Sequence, residues 1–257
     1  MKTIFEMINE PYVRKARVIP GLLVALPVLV PLLCVYGSKQ PILTSLIGLL
    51  SGCGAIYALA NVARGRGKRL EETLINKWGG MPTTIALRHR DNFFDNVSKL
   101  RYHAAITTKL GIPMPTVEEE EENPEKADDI YIGAVRRLRE LTRSNKGLLL
   151  RENTTYGFHR NMLAMKPVGI FSCIVGIIYG LIISKIIQVV PPHLYPINFA
   201  KPGLSAGLTL LISISILSSW FLYFNESSVK RIGFVYAERL FECLPSLRST
   251  AIRKKKL

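Results

Sequence analysis

Six arginines offer the most direct chemistry in this sequence: Arg88, Arg90, Arg101, Arg136, Arg137 and Arg139 lie between two pairs of long uncharged blocks and far along the chain from either. A guanidinium stays protonated and presents its donors as a planar fork, so clustered arginines point to recognition of phosphate or carboxylate. Phe93, Phe94, Tyr102 and Tyr131 are interleaved with them. Such aromatics either stack on nucleobases or pack a helical core. These six arginines are the candidate ligand-binding set, with a nucleotide or oligonucleotide as the ligand class.

Catalytic and metal-binding patterns are weaker. His89, Arg90, Asp91 and Asn96 reproduce the H-R-D-x-x-x-x-N spacing of a protein-kinase catalytic loop. No Gly-rich loop, strand lysine or D-F-G accompanies it, and the segment from Arg64 to Lys166 is too short for a kinase. Gly67 and Lys68 end a basic string, but Val62 stands where a phosphate-binding P-loop needs its first glycine. His89, His103, His159 and His193, with Cys34, Cys53, Cys173 and Cys243, have no metal-ligand spacing. No cofactor, metal or catalytic residue is therefore expected, and the sequence argues against an enzyme. Were a rate found, His103 and His159 would be the first residues to change.

The elements that must hold the arginines are read from composition. The chain has 257 residues, of which 48% are hydrophobic, with a formal net charge of +15. Apolar and charged residues are segregated. Residues 18–38, 40–63, 167–184 and 202–225 contain no Asp, Glu, Lys, Arg or His, and only Lys39 separates the first two. About 20 residues at ~1.5 Å each cross a hydrocarbon core of about 30 Å. The expected fold is mainly α: a polytopic membrane protein with four transmembrane helices in two hairpins and a small, mostly helical cytosolic domain between them. The first block is too long for the apolar core of a cleaved signal peptide. Its Pro20, Pro27 and Pro31 predict a kinked, tilted or partly re-entrant helix.

The expected divisions are a cytosolic N-terminal segment 1–17, hairpin 18–63, basic domain 64–166, hairpin 167–225 with an external loop 185–201, and an amphipathic basic tail 226–257. All but three of the 34 Lys and Arg residues fall on one side of these spans, the exceptions being Lys39, Lys185 and Lys201. Positive residues stay inside, which puts both termini in the cytoplasm of an inner-membrane protein. Gly48 with Gly52, and Gly176 with Gly180, are small residues at spacing four that let helices pack closely, within one chain or between subunits. Ser205, Thr209 and Ser213 share one face of the fourth span. Their hydroxyls either bind neighbouring helices or line a weakly polar pore. Ion-coupled transporters need ionisable groups at the midplane, and these spans have none. Four helices are too few to enclose a path, so conduction would require a homo-oligomer.

Within the basic domain, helices are expected over 68–78, with Leu70, Leu74, Ile75 and Trp78 on one face, and over 92–110, capped by Asp91 with Phe94, Val97, Leu100 and Ala104 inward. Residues 83–88 read as a short strand or turn. The stretch 112–124, with five consecutive glutamates at 118–122, reads as a solvated acidic loop; the rarer alternative is an acidic plug on the basic surface. Asn123 as N-cap and Pro124 then open a helix with Ala127, Ile130, Tyr131, Ala134, Leu138 and Leu141 inward. Outside the acidic stretch the domain is strongly basic. Three readings of that surface stand together: membrane lipid headgroups, a phosphate-bearing ligand, or an acidic partner protein. The tail carries Val229, Ile232, Val235, Phe241 and Leu244 at amphipathic spacing and ends in Arg253, Lys254, Lys255 and Lys256, a clamp on anionic lipid.

The order of these segments, a hairpin, a basic domain split by 118–122 and a second hairpin with a Ser-rich last span, resembles that of bacterial anti-phage membrane effectors of the nucleotide- or oligonucleotide-gated channel type, as in Hailong-type defence. The resemblance implies an oligomeric channel or membrane-disrupting effector opened by a nucleic-acid signal, with a partner encoded nearby. A membrane-anchored adaptor for an acidic protein or nucleic acid is the alternative. Orientation is checked by thiol labelling of an Arg136→Cys variant in intact cells: a membrane-impermeant reagent should leave the introduced thiol unmodified until the membrane is opened.

Overall fold

The computed structural model describes residues 10–36, 48, 56–144, 147–188, 192–196 and 202–247. Most of the second expected span lies outside the described residues, as do Gly52, Cys53, Lys39, Lys201 and the basic run 253–256. The described chain is helical, apart from an antiparallel pair of two-residue strands, β1 (Ile187–Gln188) and β2 (His193–Leu194). The helices are α1 (Pro11–Val13), which runs through a π-helical turn (Arg14–Val18) into α2 (Ile19–Tyr36), then α3 (Ile56–Trp78), α4 (Pro82–Ile85), α5 (Asn96–Leu110), α6 (Val117–Glu122), α7 (Pro124–Leu141), α8 (Leu148–Ile183), α9 (Leu204–Leu222) and α10 (Glu226–Phe241).

Three of these are long and apolar enough to cross a membrane: Pro11–Cys34, Leu148–Ile183 and Leu204–Leu222. The 36 residues of α8 would extend about 54 Å, well beyond a hydrocarbon core of about 30 Å. Its N-terminal part carries Arg151, Glu152, His159, Arg160 and Lys166, and from Pro167 on it has no Asp, Glu, Lys, Arg or His. The chain divides into an apolar unit, residues 1–71 and 157–228, and a polar unit, residues 72–156 and 229–257. The boundaries fall inside α3, α8 and α10.

In the apolar unit, Val24, Ala63, Met162, Cys173, Trp220 and Phe224 form a core to which α2, α3, α8 and α9 all contribute. Helices approach closely where a side chain is missing. A Cβ on Gly176 would stand 2.7 Å from the Pro27 carbonyl oxygen and would overlap the Ser213 hydroxyl. One on Gly180 would stand 2.9 Å from Leu210. Among the described residues, nothing stands within 4 Å of a Cβ on Gly48.

Proline makes a specific demand here. Pro20, four residues beyond Ala16, has no N–H to give the Ala16 carbonyl, and a carbonyl without a donor is costly away from water. The Asn161 side-chain amide of α8 donates to that oxygen instead. Asn161 is held in turn by Arg160, whose Nε and guanidinium donate to its Oδ1 at 3.3 and 3.2 Å, while the other Arg160 nitrogen pairs with Glu71 at 2.8 Å. Gly67 of α3 leaves the room for this arrangement, since any Cβ there would overlap Asn161 Oδ1. Helix α2 continues through Pro27 and Pro31 as one helix to Tyr36, so of the alternatives for this span the partly re-entrant one is not seen among the described residues.

The polar unit is built around Leu87, Tyr102, Ile106, Tyr131, Leu138 and Phe241. Helix α7 starts as expected, with the Asn123 side chain accepting from Lys126 N and Pro124 at the first position. Three expectations are corrected. Residues 83–88 are not a strand: Pro82 opens the short helix α4, which takes up 83–85, and the expected turn follows at 86–87. Helix α5 begins at Asn96, with Asp95 rather than Asp91 as its cap. Its inward residues are Lys99, Tyr102, His103 and Ile106, whereas Val97 and Leu100 are 78% and 61% exposed. The C-terminal helix α10 is no separate tail: Ala237, Leu240, Phe241 and Leu244 complete the polar unit's core.

The Asn161 bond yields a paired prediction. Asn161→Ala should lower the stability of the detergent-solubilised protein by about 2 kcal/mol, through the stranded Ala16 carbonyl and the lost Arg160 contacts. Adding Pro20→Ala, which restores an N–H four residues beyond Ala16, should recover part of that loss in thermal unfolding.

Candidate anion-binding site

The turn after α4 exposes two consecutive backbone N–H groups. Leu87 and Arg88 donate to Thr84 and Ile85, and Asp91 donates to Arg88, so the local backbone bonds use the N–H groups on either side of His89 and Arg90. Helix α5 holds the same turn by its carbonyls. Lys99 and His103, one helical turn apart and both buried, reach the His89 and Asp91 oxygens from Nζ at 3.1 and 2.6 Å, and the Leu87 oxygen from Nε2 at 2.8 Å. With its carbonyls fixed in this way, the turn directs the N–H groups of His89 and Arg90 to one point.

That point is occupied by the carboxylate of Glu120. Its Oε2 accepts from His89 N at 2.8 Å and from the Tyr131 hydroxyl, and its Oε1 accepts from Arg90 N at 3.3 Å and from the Arg90 guanidinium at 2.8 Å. Each oxygen therefore has two donors, and adjacent N–H groups of this kind form an anion-binding nest. Next to it, Asp128 of α7 makes a two-pronged pair with Arg88 at 2.8 and 2.7 Å and accepts from Arg90 at 3.0 Å. Asp128 and Tyr131, three residues apart, share a face of α7, which is how one helix serves both carboxylate partners.

The acidic stretch is therefore structured, contrary to the expectation of a solvated loop. Thr116 caps α6: its hydroxyl accepts from Glu119 N at 3.2 Å, and the Glu119 carboxylate accepts from Thr116 N at 2.9 Å. His89 Nε2 lies 3.0 Å from the Pro115 carbonyl at the entry to this helix. Of the five glutamates only Glu120 is buried, at 2% exposure. Burial alone would raise its pKa, but the bonds from Tyr131, His89 and Arg90 and the Arg90 charge hold it below the usual glutamate value. Burial and the bond to Glu120 push the Tyr131 phenol up, which keeps it a donor. Burial drives His103 down to about 4, with its neutral ring against the Leu87 carbonyl.

The other predicted residues are dispersed. Arg101 lies over the ring of its neighbour Tyr102 at 5.1 Å. Arg136 is exposed, and Arg137 pairs with Glu140 at 3.0 Å on the outer face of α7. Arg139 reaches Thr83 at 3.3 Å and lies 5.6 Å from the Tyr236 ring. Among the described residues no ion pair or hydrogen bond joins these four to Arg88 or Arg90. Tyr102 and Tyr131 belong to the core rather than to an open stacking surface, while Phe93 is 40% exposed. In the apolar unit, Ser205 reaches the Cys34 carbonyl at 3.4 Å, Thr209 bonds back to Ser205 at 2.8 Å, and Thr209 and Ser213 are fully enclosed within one chain.

Sequence reasoning missed Asp128 and Lys99, and it placed Glu120 only within the five-glutamate run read as a loop or an acidic plug. The signal for the turn was present in the string Trp78-Gly79-Gly80-Met81-Pro82. Gly79 and Gly80 end α3 at φ values of +75° and +152°, which suit glycine, and the Gly79 carbonyl accepts from Arg88 at 2.6 Å. His89, Arg90 and Asp91 all belong to this turn: the N–H groups of His89 and Arg90 donate to Glu120, and the Asp91 carbonyl accepts from Lys99. No protein-family model matches the chain, and no curated protein and no solved structure matches it either.

The buried imidazole sets a pH dependence. His103 protonates near 6.5 when unfolded and at about 4 when folded, so between these values the unfolded chain holds the extra proton. Its contribution is complete above pH 6.5 and is lost as pH falls towards 4, a loss on the order of 3 kcal/mol. Thermal unfolding at pH 7 and pH 5 should show about 2 kcal/mol of this loss in the native protein and a flatter profile in His103→Gln.

Proposed function

We propose that this chain is a four-span inner-membrane protein, with its termini and polar unit in the cytoplasm, that assembles into a channel or membrane-disrupting effector opened by a phosphate-bearing ligand at the anion nest. A role in anti-phage defence with a nucleotide or oligonucleotide as the signal is part of this reading. The observation that carries it is the donor set around Glu120: two adjacent backbone N–H groups, an arginine and a tyrosine hydroxyl converge on one anion in a chain that also has three spans' worth of apolar helix. A ligand that bound the closed and open arrangements equally would open nothing, so it must prefer the open one.

A second reading is a membrane-anchored adaptor that recruits an acidic protein or nucleic acid through the exposed Arg136 and Arg137 face of α7. It is favoured by the enclosure of Thr209 and Ser213, whose hydroxyls then serve helix packing and need line no pore.

Purified protein in liposomes separates the two. The effector reading expects ion leakage that appears only when cyclic or short oligonucleotides are added on the side of the polar unit. A bilayer that stays sealed with every such ligand would remove it in favour of the adaptor, for which capture of an acidic polymer without leakage is the expected result.

A further inference from the structure

The Glu120 carboxylate, held where an anionic ligand would bind, suggests how the site is regulated. We propose that α6 is a displaceable strap whose Glu120 stands in for the ligand's phosphate, and that the nest takes a terminal phosphate monoester when the strap leaves; this rests on the phosphate-ligand reading above.

Three observations support it. First, the seat is built from groups that do not depend on α6. The N–H groups of His89 and Arg90 are aimed by the carbonyl contacts of Lys99 and His103, and the Tyr131 hydroxyl comes from α7. Removing Glu120 would leave these donors in position. Second, α6 is short, at six residues, and Glu120 is the one of its five glutamates that is buried, the other four being exposed. Pro113 and Pro115 precede it and Pro124 follows it, which stiffens the flanks and confines any movement to the segment between them. Third, a cavity of about 390 Å³ adjoins the seat, lined by His89, Asn96, Lys99, Leu100, Val117 and Pro124 among others. Leu100 of α5, at 61% exposure, offers apolar surface to the body of a ligand whose phosphate enters the nest, and it stays in place when α6 leaves.

The chemistry favours exchange. A carboxylate brings one charge and two oxygens, whereas a phosphate monoester brings a charge of about −1.5 to −2 and three acceptor oxygens. Arg90 would keep its bond to Asp128 and gain the more highly charged partner. The remaining strap glutamates would then repel the bound phosphate, which keeps the strap away while ligand is present.

The test uses the full-length protein in nanodiscs and a 5′-phosphorylated thymidine dinucleotide, with the unphosphorylated dinucleotide as control. The variant Glu120→Gln should bind the phosphorylated probe about tenfold more tightly than the native protein, because the competing charge is gone. Glutamyl endopeptidase should cut native protein within residues 118–122 faster when the probe is bound, a readout that needs no variant. A parallel arm with phosphatidic acid in the nanodisc distinguishes a lipid phosphate from a soluble one, and tighter Glu120→Gln binding in either arm supports the strap. Unchanged or weaker binding by a folded Glu120→Gln, or slower cleavage with ligand, overturns the strap while leaving the phosphate-ligand reading intact. If neither protein binds either phosphate, or the unphosphorylated dinucleotide binds equally well, both fail.

Discussion

A buried carboxylate is stable only where each of its oxygens is matched, because an ion taken out of water loses several kcal/mol of hydration unless charge and hydrogen bonds replace it. Glu120 meets that condition with two donors on each oxygen, and the arrangement organises the polar unit around it. Helix α5 must direct Lys99 and His103 at the turn's carbonyls so that the turn's N–H groups face the other way. Helix α7 must keep Asp128 and Tyr131 on one face to reach both arginine and glutamate. Even the two glycines after α3 serve it, since the Gly79 carbonyl anchors Arg88 beside Asp128.

The apolar unit answers the same question with fewer resources. A buried carbonyl that proline deprives of its helical donor must find one in a neighbouring helix. Asn161 does this for Ala16; farther along α2 the Val24 carbonyl, which no proline strands, also accepts from Ser172 at 2.6 Å. The glycines at 67 and 176 permit the close approach on which such bonds depend. Charge placed near the ends of the apolar helices is likewise satisfied: Arg160 by Glu71, and Lys166 by the Phe224 carbonyl at 3.1 Å.

Periodic signals are legible in the sequence, and those decided by a partner are not. Helix α7 can be read residue by residue, because Asn123, Pro124 and the apolar spacing from Ala127 to Leu138 agree with one another. The apolar spans are equally plain, although most of the second lies outside the described residues. Helix α5 misleads because Val97, Leu100 and Ala104 form an apolar line of their own, while the face that is buried contains a lysine and a histidine. Their burial depends on the carbonyls they meet, which spacing does not reveal. In the same way nothing local separates Glu120 from the four identical residues around it. The six arginines stand out for their side-chain chemistry, yet the structure brings only Arg88 and Arg90 together, because Asp128 lies between them.

One further consequence follows from where the tryptophans lie. The chain has two, and each falls in a different unit: Trp220 is fully enclosed against Gly169, whereas Trp78 is half-buried at the end of α3. Indole emission depends on the polarity around the ring, so the native chain carries a separate optical reporter in each half of its architecture.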